Sequence, residues 1–134
     1  MDPTRLLRWQ WEGYARSHRS RTNLLLHIIV VPLFLGGNMG LLVALVQRSI
    51  GLGALSLLCM IVSLALQGRG HRAEEHSPEK LTGPLDAALR IFFEQWITFP
   101  RFVLSGGWGR ALRNASRPLR EFKLTAAPPK KESR

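Results

Sequence analysis

The chain has 134 residues, room for one domain, and a net charge of +10 from 19 Lys and Arg against 9 Asp and Glu. A basic soluble protein of this size would point to nucleic acid, but here the apolar residues gather in two uncharged runs instead of spreading around a core. The single cysteine, Cys59, lies inside the second run, which excludes an internal disulfide and leaves no Cys/His zinc spacing.

In chain order, Asp2 can cap a helix and Pro3 suits its first position. Leu7, Trp11, Tyr14 and His18 follow at i, i+4, i+7 and i+11, one helical face. Trp and Tyr favour a membrane interface. The spacing predicts an amphipathic helix over residues 3–19, lying on or against a membrane surface, with Arg and His in its last turn. Residues 20–23 break the pattern, and Thr22 or Asn23 can cap what comes next.

Residues 24–46 carry no charge and predict a first span; residues 50–66 predict a second, at the short end of the spanning range. Only Gln47-Arg48-Ser49 separates them, so the pair reads as a helical hairpin. Pro32 is a candidate kink, while Gly36, Gly37, Gly40, Gly51 and Gly53 would let the two helices approach closely. Gln67-Gly68-Arg69-Gly70 reads as the end of the second span.

After a polar stretch, residues 84–99 predict another amphipathic helix. Leu85, Ala88, Leu89, Phe92, Phe93, Trp96 and Ile97 form its apolar stripe, and Asp86, Arg90 and Glu94 line another face. Those charges argue against a simple lipid-exposed span and for an interfacial or hairpin-packed helix. Pro100 is expected to interrupt it, and residues 105–109 to form a loop. The expected fold class is all-α: an integral membrane helical hairpin with flanking interfacial amphipathic helices. Residues 1–109 make one membrane domain, and residues 110–134 a basic, largely disordered tail.

Arg5, Arg8, Arg16, Arg19 and Arg21 precede the first span, and Arg69, Arg72, Lys80 and Arg90 follow the second, against Arg48 alone in the turn. The positive-inside rule then places both termini in the cytoplasm. Anionic lipid headgroups account for the basic ends, so membrane lipid is the expected partner and no nucleic acid is required. No signal peptide is expected, because the first apolar run begins behind a long amphipathic stretch.

Taken singly, His18, His27, His71 and His76 read as a helix-end residue, a satisfied polar residue near a span end and two solvated loop residues. The hairpin changes this. It returns His27 and His71 to one membrane level, and the break at residues 20–23 lets His18 reach it. Three histidines from separate elements at one depth make a candidate metal constellation. Glu75, four residues after His71, is a candidate carboxylate ligand or a partner that orients an imidazole. Two or three histidines with a carboxylate best match non-haem iron and oxygen chemistry, with zinc hydrolysis as the competitor.

Two blocks carry a family resemblance. His18-x4-Asn23-x3-His27-x4-Pro32 and Gln67-x2-Gly70-His71-x3-Glu75-x2-Pro78 resemble the fungal 2-hydroxy fatty acid dioxygenase (alpha-oxidation) family. Its bacterial members are catalogued as a membrane domain of unknown function. Glu94-Gln95 and Pro100-Arg101-Phe102 resemble a segment of those members. Val30 departs from an expected glycine. The resemblance implies a membrane enzyme that uses Fe(2+) and O2 to shorten a 2-hydroxy fatty acid by one carbon, with His18, His27 and His71 as its catalytic, metal-binding histidines. On that reading Arg19, Arg21 or Arg72 would hold the substrate carboxylate, and the acyl chain would lie along the hairpin and the Phe92-Phe93-Trp96 stripe unless that stripe is ordinary helix packing. The competing class is a non-catalytic membrane adaptor whose basic ends bind lipid or a protein.

Overall fold

In the computed structural model, which describes residues 2–76 and 78–115, the two apolar runs become the paired helices α2 (Arg21–Gln47) and α3 (Ile50–Arg72). Arg48 takes the left-handed conformation, φ 52°, so its N–H turns back to the carbonyls of Ala44 and Leu45. The Ser49 hydroxyl accepts the N–H of Leu52 and starts α3. One tight turn thus satisfies groups that each helix end leaves open.

Both helices are long and apolar enough to cross a membrane, and only 28% and 17% of their most apolar windows are buried within the chain. A core helix of a soluble protein would bury most of such a window. Instead Leu45, Val46, Ile50 and Ile61 face outward.

Small residues make the α2–α3 seam. A Cβ on Gly37 would lie 2.7 Å from Met60 Cγ and 2.9 Å from the Ser56 carbonyl oxygen, and one on Gly40 would meet the Ser56 hydroxyl. Deeper along the seam the buried Ser63 hydroxyl donates to the Val30 carbonyl at 2.5 Å. Of the other expected seam glycines, Gly36 and Gly51 meet nothing within 4 Å, and Gly53 makes ordinary contact with Ala44.

The element ends differ from expectation in ways that matter for the site. α3 does not stop at residue 66; it runs through Gly68 and Gly70 to Arg72. Gly70 is a contact point and not a terminator: its missing Cβ leaves the space that Asn23 Oδ1 fills. α2 begins at Arg21 with Ser20 as its N-cap, in place of Thr22 or Asn23. The first helix, α1 (Pro3–Tyr14), ends well short of residue 19. The Tyr14 carbonyl is taken by the Ser17 hydroxyl and the His18 ring, so the helix stops there. Its buried ridge is Leu6, Gln10 and Tyr14, rotated from the expected Leu7-Trp11-Tyr14 face.

The next helix is also longer than expected. α4 (Pro84–Phe93) passes through a π-helical segment (Glu94–Thr98) directly into α5 (Phe99–Leu104). Pro100 does not interrupt it. Proline has no N–H and its ring clashes with a carbonyl one α-turn back. The wider turn before it relieves this: the Phe99 N–H bonds the Glu94 carbonyl, five residues back. α4 buries none of its residues. Leu85 is 72% exposed, and Phe92, Trp96 and Ile97 are exposed too, so the apolar stripe is neither core packing nor a surface turned toward the hairpin. The half-buried Asp86, Arg90 and Glu94 occupy the inner side instead.

α6 (Gly107–Ala115) forms where a loop and the start of a tail were expected. Trp108 Nε1 donates to the Leu24 carbonyl, and Ala111, Leu112 and Ala115 cover a core of Tyr14, Leu24, Val31, Phe99 and Phe102. Residues 116–134, the rest of the expected tail, lie outside the described residues. Among the described residues the chain is all-α.

The seam makes a contrast between neighbouring glycines. Gly37→Ala should lower stability by about 1–3 kcal/mol, the usual cost of overpacking a tight contact. Gly36→Ala, in open space, should be neutral or stabilising by up to about 1 kcal/mol through helix propensity. Unfolding of both variants in detergent checks this; equal effects would remove the seam as the source.

Candidate metal centre

His18, His27 and His71 converge. Their ring centroids lie 4.8 Å (His18–His27), 5.1 Å (His18–His71) and 4.9 Å (His27–His71) apart. A fourth group joins them: Glu94 Oε1 stands 3.7 Å from His18 Nε2, 3.9 Å from His27 Nε2 and 4.0 Å from His71 Nε2. The ligand atoms of all four residues lie within 4.8 Å of one another.

Each side chain arrives from a different element. His27 stands in the second turn of α2 and His71 at the end of α3, so closing the hairpin brings them level. His18 belongs to the irregular segment between α1 and α2, not to the last turn of a helix. Glu94 opens the π segment, whose shift in helical phase turns its carboxylate toward the histidines.

Backbone carbonyls fix two of the rings. His27 Nδ1 bonds the Asn23 carbonyl at 3.0 Å, and His18 Nδ1 bonds the Tyr14 carbonyl at 3.0 Å. A carbonyl only accepts, so each Nδ1 carries the proton and each Nε2 presents its lone pair to the cluster. This is how proteins orient metal-binding imidazoles. Both Nε2 atoms, and His71 Nδ1, are buried with no hydrogen-bond partner among the described residues. Tyr14 stacks on His18 with centroids 3.9 Å apart and donates its hydroxyl to Glu94 Oε1 at 3.2 Å. Phe99 and Phe102 close the apolar side.

Burial, and then the neighbouring imidazoles of His27 and His71, holds His18 well below its ordinary pKa, so it is neutral. Burial pushes the Glu94 carboxyl up to about 7, against the opposing hydrogen bond from Tyr14. Burial and the Glu94 charge raise the Tyr14 phenol well above 10, so it remains a donor.

One expected carboxylate is corrected. Glu75 is exposed and outside the cluster. The chain after His71 leaves its helix at Ala73, so i+4 spacing no longer sets the face. Glu74 is the buried acid there, and it binds the Arg19 and Ser20 N–H groups and Asn23 Nδ2. Glu94 supplies the carboxylate of the cluster. Its signal in the sequence was an acid on the charged face of an otherwise apolar helix, a pattern that marks function in a membrane setting.

A cavity of about 550 Å³ opens beside the cluster, touching His18, His71 and Glu94. Trp9, Leu64, Leu81 and Ile91 give it apolar walls. Arg19, Arg21 and Arg72, expected to hold substrate, are exposed and do not line it. Arg19 and Arg21 flank the N-cap of α2 and Arg72 ends α3, all at the surface, while the cavity lies between α1, α3 and α4. The arginines that line it are Arg16 and Arg90. Arg90 is engaged with Asp86, the Glu79 and Lys80 carbonyls and the Trp9 ring. His76 lines the cavity but stands outside the cluster, and the Phe92-Phe93-Trp96 stripe does not line it.

Four nitrogen and oxygen donors without sulfur suit a first-row divalent ion. The spacings, 3.7–4.0 Å to Glu94 and up to 4.8 Å across the set, exceed the edge of a tetrahedral site, about 3.4 Å for bonds near 2.1 Å, so the side chains would have to draw inward to complete coordination. Metal affinity should follow the Glu94 carboxyl. Below pH 7 the acid is protonated and must lose that proton to bind, so affinity should fall about tenfold per pH unit and level off above pH 7. Co²⁺ titrations between pH 5.5 and 8.5 check this, and Glu94→Gln should weaken binding and flatten the profile; an unchanged profile in that variant would remove Glu94 from the set.

No family model, curated protein or solved structure matches the chain, and the centre stands on its own geometry.

Proposed function

We propose that the protein is a membrane-bound, Fe(2+)-dependent dioxygenase that shortens a 2-hydroxy fatty acid, or a similar lipid acid, by one carbon. The observation that carries this reading is the convergence of three imidazoles on Glu94 beside an apolar cavity, with the unpartnered Nε2 atoms of His18 and His27 facing the carboxylate. The motif resemblance supplies the substrate class.

The residues fit the ion. His18, His27, His71 and Glu94 would hold it: neutral imidazoles and one carboxylate suit iron, and a hydrophobic shell limits water. Bound Fe²⁺ would supply redox chemistry with O2 and a template for the acid. The overall reaction balances without an outside reductant: the hydroxy acid and one O2 give the acid one carbon shorter, CO2 and water.

The chain's own groups do the rest. Three neutral histidines and one carboxylate leave a divalent ion with a net positive charge, which favours an anionic ligand beside it. Ser17 and Arg16 line the same cavity, and Arg16 is the guanidinium there without the competing contacts that occupy Arg90. Arg16 binds the substrate carboxylate, and Trp9, Leu64 and Ile91 shelter the start of the acyl chain. Tyr14 keeps Glu94 oriented and remains protonated. The basic ends lie against the cytoplasmic leaflet, and the Arg48 turn crosses to the far side.

Purified protein should contain close to one iron per chain and consume O2 only when a 2-hydroxy fatty acid is added. His27→Ala and His71→Ala should abolish both. Iron content indifferent to both changes would sink the reading and leave a membrane adaptor in its place. Arg16→Gln should raise the KM for the acid about tenfold or more, the loss of one charge-assisted pair worth about 1.5–3 kcal/mol, with iron content unchanged. An unaltered KM would transfer that role to another residue.

A further inference from the structure

We propose that Glu74 is the positioning residue of the metal centre: its carboxylate holds the His18 and His27 segments against the end of α3, where its own backbone is bonded to His71, without being a ligand. This rests on the metal-centre reading above.

Glu74 follows the end of α3 and is 8% exposed. Its backbone N–H bonds the His71 carbonyl at 3.2 Å, which ties it to the first histidine. Its two carboxylate oxygens receive the N–H groups of Arg19 and Ser20, each at 3.0 Å. Arg19 is the residue after His18, so the second histidine is tied too. Oε1 also accepts from Asn23 Nδ2 at 2.7 Å. The Asn23 carbonyl takes the Nδ1 proton of His27, and the Asn23 amide donates to the Ser17 carbonyl next to His18. The carboxylate is therefore one or two hydrogen bonds from the segment of His18 and from His27, and the backbone of the same residue holds His71.

The site demands a carboxylate and not an amide. Its partners are all donors: two consecutive backbone N–H groups and one side-chain NH2. Adjacent backbone N–H groups at a helix N-terminus form an anion-binding concavity, favoured further by the helix dipole. An isosteric glutamine would turn its own NH2 toward donors and leave at least one of them unpaired. The α2 N-terminus has no side-chain cap of its own, so Glu74 serves as a cap reaching across from α3. Gly70 completes the joint, since any Cβ there would displace Asn23, 2.5 Å away. The neighbouring Glu75 has the same charge but is exposed, which makes it a control.

Full-length protein in detergent, stripped of metal, is titrated with Co²⁺, whose visible spectrum reports ligand geometry. Hydrogen exchange at the Arg19 and Ser20 amides is followed in the metal-free state. Glu74→Gln should weaken Co²⁺ binding 10- to 100-fold, the usual loss when a group that orients a ligand is removed. It should also shift the cobalt spectrum and speed exchange at both amides. Glu75→Gln should match the wild type in all three. If Glu74→Gln loses its helical content, Glu74→Asp carries the comparison: it keeps the charge but falls one methylene short, so the spectrum should shift with four ligands intact. Wild-type affinity and spectrum in the folded variant would overturn the role, as would equal losses in Glu75→Gln. A wild-type chain that binds no Co²⁺ would overturn the metal centre and this role with it, whereas wild-type binding with an indifferent Glu74 variant overturns the role alone.

Discussion

Everything at the candidate site depends on how closely α2 and α3 lie along their seam. Two apolar helices gain little from burying leucine against leucine when lipid is the alternative, so packing of small residues and hydrogen bonds must hold them. Gly37 and Gly40 let backbone meet side chain directly, the Ser63–Val30 bond adds a polar tie, and Gly70 admits Asn23. The same rigid seam fixes the relative height of the two helices. His27 and His71 stand level because the turn at Arg48 and the Gly70–Asn23 contact set the register at both ends.

The other elements complete an inside-out arrangement. Polar groups run through the interior: Gln67 and Gln95 exchange amide hydrogen bonds, Gln67 reaches Ser63, and Thr98 donates to Gln10, which in turn donates to the Arg90 carbonyl. Many large apolar side chains of α2, α3 and α4, such as Leu45, Val46, Ile50, Ile61 and Leu85, lie outside. In water this would be a poor distribution. In a bilayer it pairs these buried amides and hydroxyls with one another and gives each apolar face lipid. The same network holds the π segment in place, because Gln95 and Thr98 anchor it to α3 and α1 respectively. Glu94 is thereby aimed from a turn that would not keep its shape alone.

Hydropathy made the hairpin legible in the sequence, and the hairpin made three of the four cluster residues legible, because topology alone returns His27 and His71 to one level and the break before α2 frees His18. What stayed hidden depends on helical phase. Glu94 could be seen on a charged face, but its direction depends on the wider turn before Pro100. The choice between Glu74 and Glu75 hinges on where α3 ends, a matter of one residue. Gly68, Gly70 and Gly106-Gly107 suggested breaks, since glycine weakens helices in general. Gly68 and Gly70 lie inside α3 and Gly107 begins α6; at Gly70 and Gly107 close contacts with Asn23 and Phe102 override propensity. Nearness along the chain to the histidines points to Arg19, Arg21 and Arg72, whereas Arg16 lines the cavity because α1 ends early, at Tyr14.

The partnerless nitrogens give the site its physical meaning. A buried polar group left without a hydrogen bond costs about 1–3 kcal/mol, and total stabilities are only about 5–15 kcal/mol. Among the described residues the buried side-chain atoms in this state are His18 Nε2, His27 Nε2, His71 Nδ1 and Asn23 Oδ1, three of them on the clustered imidazoles. The Nδ1 atoms of His18 and His27 are pinned by backbone carbonyls, so neither ring can relieve the cost by swapping nitrogens. Glu94 is close but not within hydrogen-bonding distance, and a protonated histidine would meet two other imidazoles. A packing role would be served better by phenylalanine, as at Phe99 and Phe102 alongside. A divalent cation would satisfy inward lone pairs from several imidazoles and a carboxylate together, and the fold already holds these ligand atoms within 4.8 Å of one another.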